Sequence, residues 1–409
     1  MKIGIVTHTV KKGDGQGRVN YEVAQAAIQR GYHLTLLASQ VDVELQQNPL
    51  VDWVPIAVTG WPTELIRNII FAIKSTNWLR KNRHKLDIVK VNGAITHAAG
   101  DVNAVHFVHN SWLKFTSRTT QIQSGKFIYN FYQWLYTTVN AYWEKQAFRQ
   151  AQVVVAVSHQ VARDLLEIGV PLASIKVILN GVDLQEFSPA VRDGCKQVNK
   201  CQKWQLPPGV PLALFAGDIR VSRKNLDTVL KALVSVPELH LAVAGKTEGS
   251  PYVHLAASLG LSERVHFLGQ RSDVPELMQA ADFLVFPSRY EPFGLVIIEA
   301  MASGLPVITA TSTGAADLVT PESGIVLSNS DDVEALTEAL QLLTSHPSLR
   351  QQMGKAARLV AEQHSWSHMA KTYLDLFEEL INHEEYSSHP HLSPSSGSIT
   401  LSVSTTRTN

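Results

Sequence analysis

The chain is short of cysteine, of unbalanced charge and of long apolar runs. Its two cysteines, Cys195 and Cys201, stand six positions apart in a polar stretch. A secreted disulfide framework needs more of them, and a structural zinc site needs further Cys or His ligands at matching spacing. The pair reads as two unpaired thiols of a cytoplasmic protein. Lys+Arg and Asp+Glu both number 36, so the formal net charge is zero. A dedicated nucleic-acid binder carries a marked basic excess, so nucleic acid is not an expected partner. No apolar run reaches the ~18 residues that span a bilayer. Met1–Val10 enters a strand-like run with no charged-then-apolar leader. The expectation is a soluble protein, or one that lies on a membrane from the cytoplasmic side. No fixed short-period repeat and no D-x-D metal motif is evident, so no metal and no cofactor is expected.

What is present is enough apolar material for two large cores. The 409 residues are 45% apolar and include 8 Trp, 10 Tyr and 13 Phe, and one core rarely serves so long a chain. Short apolar, β-branched runs alternate with longer segments of helical period. The first series comprises 2–7, 33–37, 87–91, 104–108, 153–157 and 176–179. The second comprises 212–216, 239–244, 265–268, 283–286, 307–309 and 325–327. Continuous apolar strands separated by helices predict parallel sheets covered on both faces, here two doubly wound α/β domains. The boundaries read as 1–187 for the first domain, 188–209 for a polar linker and 210–365 for the second. A last helix spans about 366–382. Residues 383–409 hold 12 Ser or Thr and no apolar pattern, which predicts a disordered tail.

The most informative stretch is Ser288-Arg289-Tyr290-Glu291-Pro292-Phe293-Gly294-Leu295, which runs on to Glu299. A strand ends just before it and a helix begins within it, where doubly wound sheets bind their ligands. Gly294 lets backbone approach a ligand, and the free N–H groups of the helix start suit an anion or a hydroxyl-rich group. Glu291 and Glu299 are eight residues apart, about 12 Å along a continuous helix. That exceeds the roughly 5–9.5 Å of a hydrolytic carboxylate pair, so the two read as separate acceptors on one extended ligand. Gly217-Asp218-Ile219-Arg220-Val221-Ser222-Arg223-Lys224-Asn225 also joins a strand to a helix. Cations in a first helical turn oppose the helix dipole, which suggests a use for Arg220, Arg223 or Lys224 other than folding.

The run E-P-F-G-L-x-x-x-E followed by A-M-A-S-G-L-P-V-I resembles the E-x7-E signature of retaining, nucleotide-sugar-dependent glycosyltransferases of the GT-B fold (family 4, glycosyltransferase group 1). Val153–Ser158, Asn180-Gly181-Val182-Asp183, Phe187-Ser188-Pro189, Gly217 with Lys224-Asn225, Val265–Gly269 and Ser365-Trp366 agree in order. The resemblance covers about 1–382 and is specific from about 150 onward. It implies a metal-free transfer, with retention, from a nucleotide-sugar donor to a hydroxyl acceptor. Glu291 would face the donor sugar and Glu299 the ribose. Backbone at Phe293, Gly294 and Leu295 would meet sugar and phosphate oxygens, and the strand end at Phe267 the base. Gly217 and Lys224 would face the leaving diphosphate, helped by Arg220 or Arg223. The final helix would cross back to the first domain. A protein of this fold that binds a sugar nucleotide or a membrane surface without turnover would carry the same motifs.

In the first domain, Gly13-Asp14-Gly15-Gln16-Gly17-Arg18 follows the first strand. As a dinucleotide fingerprint it lacks the step to a third glycine, and the second strand ends at Ser39 instead of an acid, which disfavours a nicotinamide enzyme. The resemblance places Gly15 and Gly17 near the diphosphate or acceptor. His106 and His109 fall on opposite faces of the expected strand. His109, at its carboxyl end, is favoured as the active-site histidine, and His106 as a core residue. Residues 61–150 hold 12 Lys+Arg against 4 Asp+Glu, a net +8, which leaves −8 for the rest. They contain the stripe Leu65, Ile66, Ile69, Ile70, Ile73 and nine aromatics between Phe127 and Phe148. Such a stretch suits an anionic membrane or a lipid-linked acceptor. The stripe alone would equally suit a helix packed on the sheet.

Overall fold

A computed structural model describes residues 1–13, 15–118, 127–190 and 203–388. Cys195, Cys201, most of the linker and the tail beyond 388 lie outside the described residues.

The first domain contains β1 (Lys2–Val6), β2 (Thr9–Val10), β3 (His33–Ala38), β4 (Gln40–Val41), β5 (Val51–Pro55), β6 (Ile88–Asn92), β7 (Val102–Val105), β8 (Val153–Ala156) and β9 (Ile175–Val177). Seven of these form one parallel sheet in the order β5-β3-β1-β6-β7-β8-β9, and β2 pairs with β4 beside it. The second domain contains β10 (Leu212–Ala216), β11 (His240–Ala244), β12 (Val265–Gly269), β13 (Phe283–Phe286), β14 (Val307–Ala310) and β15 (Gly324–Leu327). They form a six-stranded parallel sheet, β12-β11-β10-β13-β14-β15. Central strands such as VVVA, LALFA and FLVF are buried along their whole length, as strands covered by helices on both faces must be.

Three features depart from expectation. β5 carries Asp52, Trp53 and Pro55, which hide its strand character; it pairs with β3 at one edge of the sheet, where proline is tolerated. β7 ends at Val105, three residues early, because a helix starts at His109. The last helix, Trp366–Ser388, runs six residues past its expected end and into the stretch assigned to the tail.

That helix lies against the first domain. Trp366, Met369, Tyr373, Leu374 and Phe377 enter the core built on β1, β3 and the helix Gly15–Gln29. Arg30 adds ion pairs to Asp375 (2.8 Å) and Glu378 (2.5 Å). Where the chain crosses, Val182 N–H donates to His364 O (2.9 Å) and Trp366 N–H to Val182 O (3.3 Å). A Cβ on Gly181 would stand 2.4 Å from the Trp366 nitrogen, so the N-G-V-D turn needs its glycine for this close approach.

Candidate active site

The two sheets present their carboxyl ends to a common cleft of about 440 Å³. From the first domain, Gly15, Gln16, His106, Phe107, Val157 and Asn180 line it. From the second come Gly217, Arg223, Lys224, Phe286 and the run Glu291–Val296.

The loop after β13 is tied down on both sides. Glu291 N–H donates to Ser312 O (3.2 Å), Gly314 N–H to Glu291 O (2.8 Å) and Ala315 N–H to Phe293 O (2.7 Å). Across the domain boundary Ser158, which caps the helix His159–Glu167, donates its hydroxyl to Pro292 O at 2.6 Å. Tyr290 packs on Phe107, Trp112 and Phe115, and its hydroxyl donates to Asp164 (3.3 Å). Gly294 closes the loop with φ +91, and a Cβ there would meet Thr313 at 3.0 Å. An L-residue is disfavoured on both counts. The helix Leu295–Ala302 starts next, so its first N–H groups open into the cleft.

Arg223 and Lys224 sit in the short turn Ser222–Lys224 after β10. Arg223 Nη1 lies 3.1 Å from Glu291 Oε2, and Lys224 Nζ is in direct contact with the same oxygen. The trio carries one net positive charge. Burial pulls the Lys224 ammonium below its ordinary pKa, and Glu291 works against that shift. Asn225 makes the turn possible. It adopts a left-handed conformation (φ 64) that asparagine tolerates, and it is fully buried. Its amide donates to Pro287 O (2.9 Å) and Ser330 O (2.5 Å), and its Oδ1 accepts from Thr228 (2.6 Å). Asn225→Ala should cost about 2–4 kcal/mol, since a strained turn loses its anchors and two carbonyls lose a donor. Urea unfolding of the variant measures this.

Arg220 is placed elsewhere. It forms a two-point ion pair with Asp218 (2.6 and 2.9 Å) and lines a neighbouring cavity of about 300 Å³ with Gly217, Lys246, Gln270 and Arg271. Of the two candidate arginines, Arg223 is therefore the one that joins Lys224 and Glu291. Phe267 lies in β12 and packs against the core; Gln270 and Arg271, just past the strand, form that cavity's wall. Asp332 caps the helix Val333–Ser345, whereas Asp331 pairs with Arg289 (2.7 Å).

The two histidines are placed differently from the expectation. Because β7 stops at Val105, His106 occupies the strand's carboxyl end and lines the cleft. Its Nε2 is buried with no hydrogen-bond partner among the described residues, and burial with the nearby Lys90 lowers its pKa to about 3, so it is neutral. His109 instead opens the helix His109–Arg118. Glu144 accepts from its backbone N–H (2.9 Å) and contacts its Nδ1 (2.6 Å), capping the helix from another element. Gly15 lines the cleft, whereas Gly17 is buried in the helix that Gly15 begins. Asn180 also lines the cleft, and its buried Oδ1 has no partner among the described residues.

Glu299 sits one helical turn beyond the cleft-lining Leu295 and Val296, half-buried on the helix Leu295–Ala302. Burial, reinforced by Glu186 and opposed by Arg18, raises its pKa from 4.5 to about 7. A carboxyl with a raised folded-state pKa stabilises the fold below its unfolded pKa and loses that contribution as pH rises through the folded one. Glu299→Gln should therefore match the parent in stability near pH 4 and exceed it by roughly 1–2 kcal/mol above pH 7, after allowance for solvent screening. Thermal melts across that range test it.

Among the described residues, no three His, Cys, Asp or Glu side chains gather as a metal site. No described helix is long and apolar enough to cross a membrane.

The architecture is that of the GT-B fold. Sucrose-phosphate synthase from Thermosynechococcus elongatus superposes with a TM-score of 0.75 at 21% identity, covering 93% of this chain and 99% of that one. HepE of Anabaena, solved in complex with UDP-glucose, superposes with a TM-score of 0.66 at 19% identity, covering 93% and 100%. The chain belongs to the glycosyltransferases of this fold: residues 13–186 match glycosyltransferase family 4, and residues 197–360 match glycosyl transferases group 1. A D-inositol 3-phosphate glycosyltransferase of Xylanimonas cellulosilytica is 31% identical over 246 residues, which is 58% of this chain. The chain spans only about three fifths of that relative's length, 59%.

Proposed function

We propose that the protein transfers a sugar from a nucleotide-sugar donor to a hydroxyl acceptor, with retention of anomeric configuration and without a metal. The observation that carries this reading is the meeting of Arg223, Lys224 and Glu291 at the start of the helix Leu295–Ala302. A nucleoside diphosphate leaves with developing negative charge, and two cations with free helix N–H groups are suited to receive it. A bound diphosphate competes with Glu291 for Arg223 and Lys224 and turns that carboxylate toward the sugar. Glu299 is assigned to the ribose and the neighbouring cavity at Gln270 and Arg271 to the base. His106, in place of His109, stands beside the reacting centre. The donor C1–O bond to phosphate breaks, the acceptor oxygen bonds to C1, and the acceptor proton leaves on the diphosphate.

Two comparisons support the reading: HepE is described with UDP-glucose, and the Xylanimonas relative is named for glycosyl transfer to an inositol phosphate. A thermal-shift screen with UDP-, GDP- and ADP-sugars, followed by assay of nucleoside diphosphate release, tests it. At least one donor should stabilise the protein and be turned over. No shift and no release with any of them would refute the proposal.

A further inference from the structure

The helix Phe127–Gln150 is amphipathic in the unusual sense. Its inward face presents Thr137, Asn140, Glu144 and Phe148, three of them polar and all buried. Its outward face presents Phe131 (54% exposed), Trp134 (55%), Leu135 and Tyr142 (64%), followed by the exposed Lys145 and Arg149. At 100° per residue these six fall within roughly 100° of arc and run about 27 Å along the helix. Phe131 and Trp134 touch each other, with ring centroids 6.0 Å apart.

The neighbouring helix Glu64–Asn82 extends this surface. Tyr132 and Tyr136 join the two, accepting from Leu65 N–H (3.3 Å) and from the Asn68 amide (3.3 Å). That helix buries Phe71, Ala72, Ser75, Thr76 and Leu79, which leaves its isoleucine stripe half-exposed and Ile73 50% exposed. Exposed Lys74, Arg80 and Lys81 flank it. Water is a poor partner for such a surface, which marks it as a docking face.

We infer that this two-helix face docks on an anionic lipid surface. Aromatic rings with lysine and arginine on one helical face match the boundary between acyl chains and anionic headgroups. A second copy of the chain is the wrong occupant, because the exposed Lys74, Arg80, Lys81, Lys145 and Arg149 of one face would meet the same cations of the other. The inner face of the same helix holds His109 through Glu144, three residues from the cleft-lining His106. Docking would thus bring the acceptor side of the cleft to the membrane, so the surface deepens the transferase reading by pointing to a lipid-borne acceptor. The docking itself does not depend on turnover.

Co-sedimentation of the full chain with phosphatidylglycerol–phosphatidylcholine vesicles, against phosphatidylcholine alone, tests it. Binding should require the anionic lipid and weaken at high salt. Trp134→Ser should lower it about tenfold, and Phe131→Ser with Tyr142→Ser further. Lys145→Gln with Arg149→Gln should lower binding at low salt and leave melting temperature and donor stabilisation unchanged; it decides the matter should the aromatic variants not fold. No binding to anionic vesicles, or equal binding by parent and every variant, would overturn the inference. So would self-association, seen by sedimentation velocity, that the aromatic variants abolish without any vesicle binding. Vesicle binding without turnover would retain the surface and reject the transferase.

Discussion

Lys224→Ala should lower kcat/KM for sugar transfer about 10²–10³-fold, the usual cost of losing one aimed donor to developing charge. The effect is large because the ammonium is mostly buried, over the Phe286 ring (4.9 Å) and beside Glu291. The loss should fall on diphosphate affinity as well as turnover. The same burial predicts a pH signature. The proposed contact with a diphosphate requires Lys224 in its protonated form, and its pKa is already below that of an ordinary lysine. Donor affinity should therefore fall on the alkaline side, at lower pH than an exposed lysine would impose. Calorimetry in buffers of different ionisation enthalpy should show proton uptake on binding along that limb.

Glu291→Gln separates binding from chemistry. In the parent, one carboxylate offsets the charge of Arg223 and Lys224. Removing it leaves two uncompensated cations, so the bare nucleoside diphosphate should bind at least as tightly as before. Transfer should nevertheless fall about 10²-fold, because the sugar loses the acceptor that fixes its orientation. Steady-state kinetics beside nucleotide titration measure both. A parallel loss of binding and turnover would mean that Glu291 serves only to position the two cations.

Much of this was legible in the residues because it is local. Runs such as Val153–Ala156 and Leu212–Ala216 announce strands covered on both faces. The E-P-F-G run announces a strand-to-helix turn whose glycine is required by its backbone angle. What was not legible depends on distant partners. Arg220 and Arg223 are three residues apart; Asp218 holds the first, and the left-handed turn at Asn225, anchored on Pro287 and Ser330, follows the second, which meets Glu291. His109 is drawn from the cleft by Glu144, 35 residues downstream. The isoleucine stripe of Glu64–Asn82 has the spacing of a core face, yet the sheet is covered by its other side, through Phe71, Ser75 and Leu79. In each case a choice between neighbouring side chains was decided by packing that local pattern does not encode.

The central claim is that the cleft holding Arg223, Lys224 and Glu291 is the donor site. Isothermal titration of UDP-, GDP- and ADP-glucose into the parent and into Lys224→Ala tests it most directly. The parent should bind at least one donor at one site per chain, and the variant should bind the same donor at least about 10-fold more weakly. Equal affinity for parent and variant would place the donor elsewhere and contradict the account.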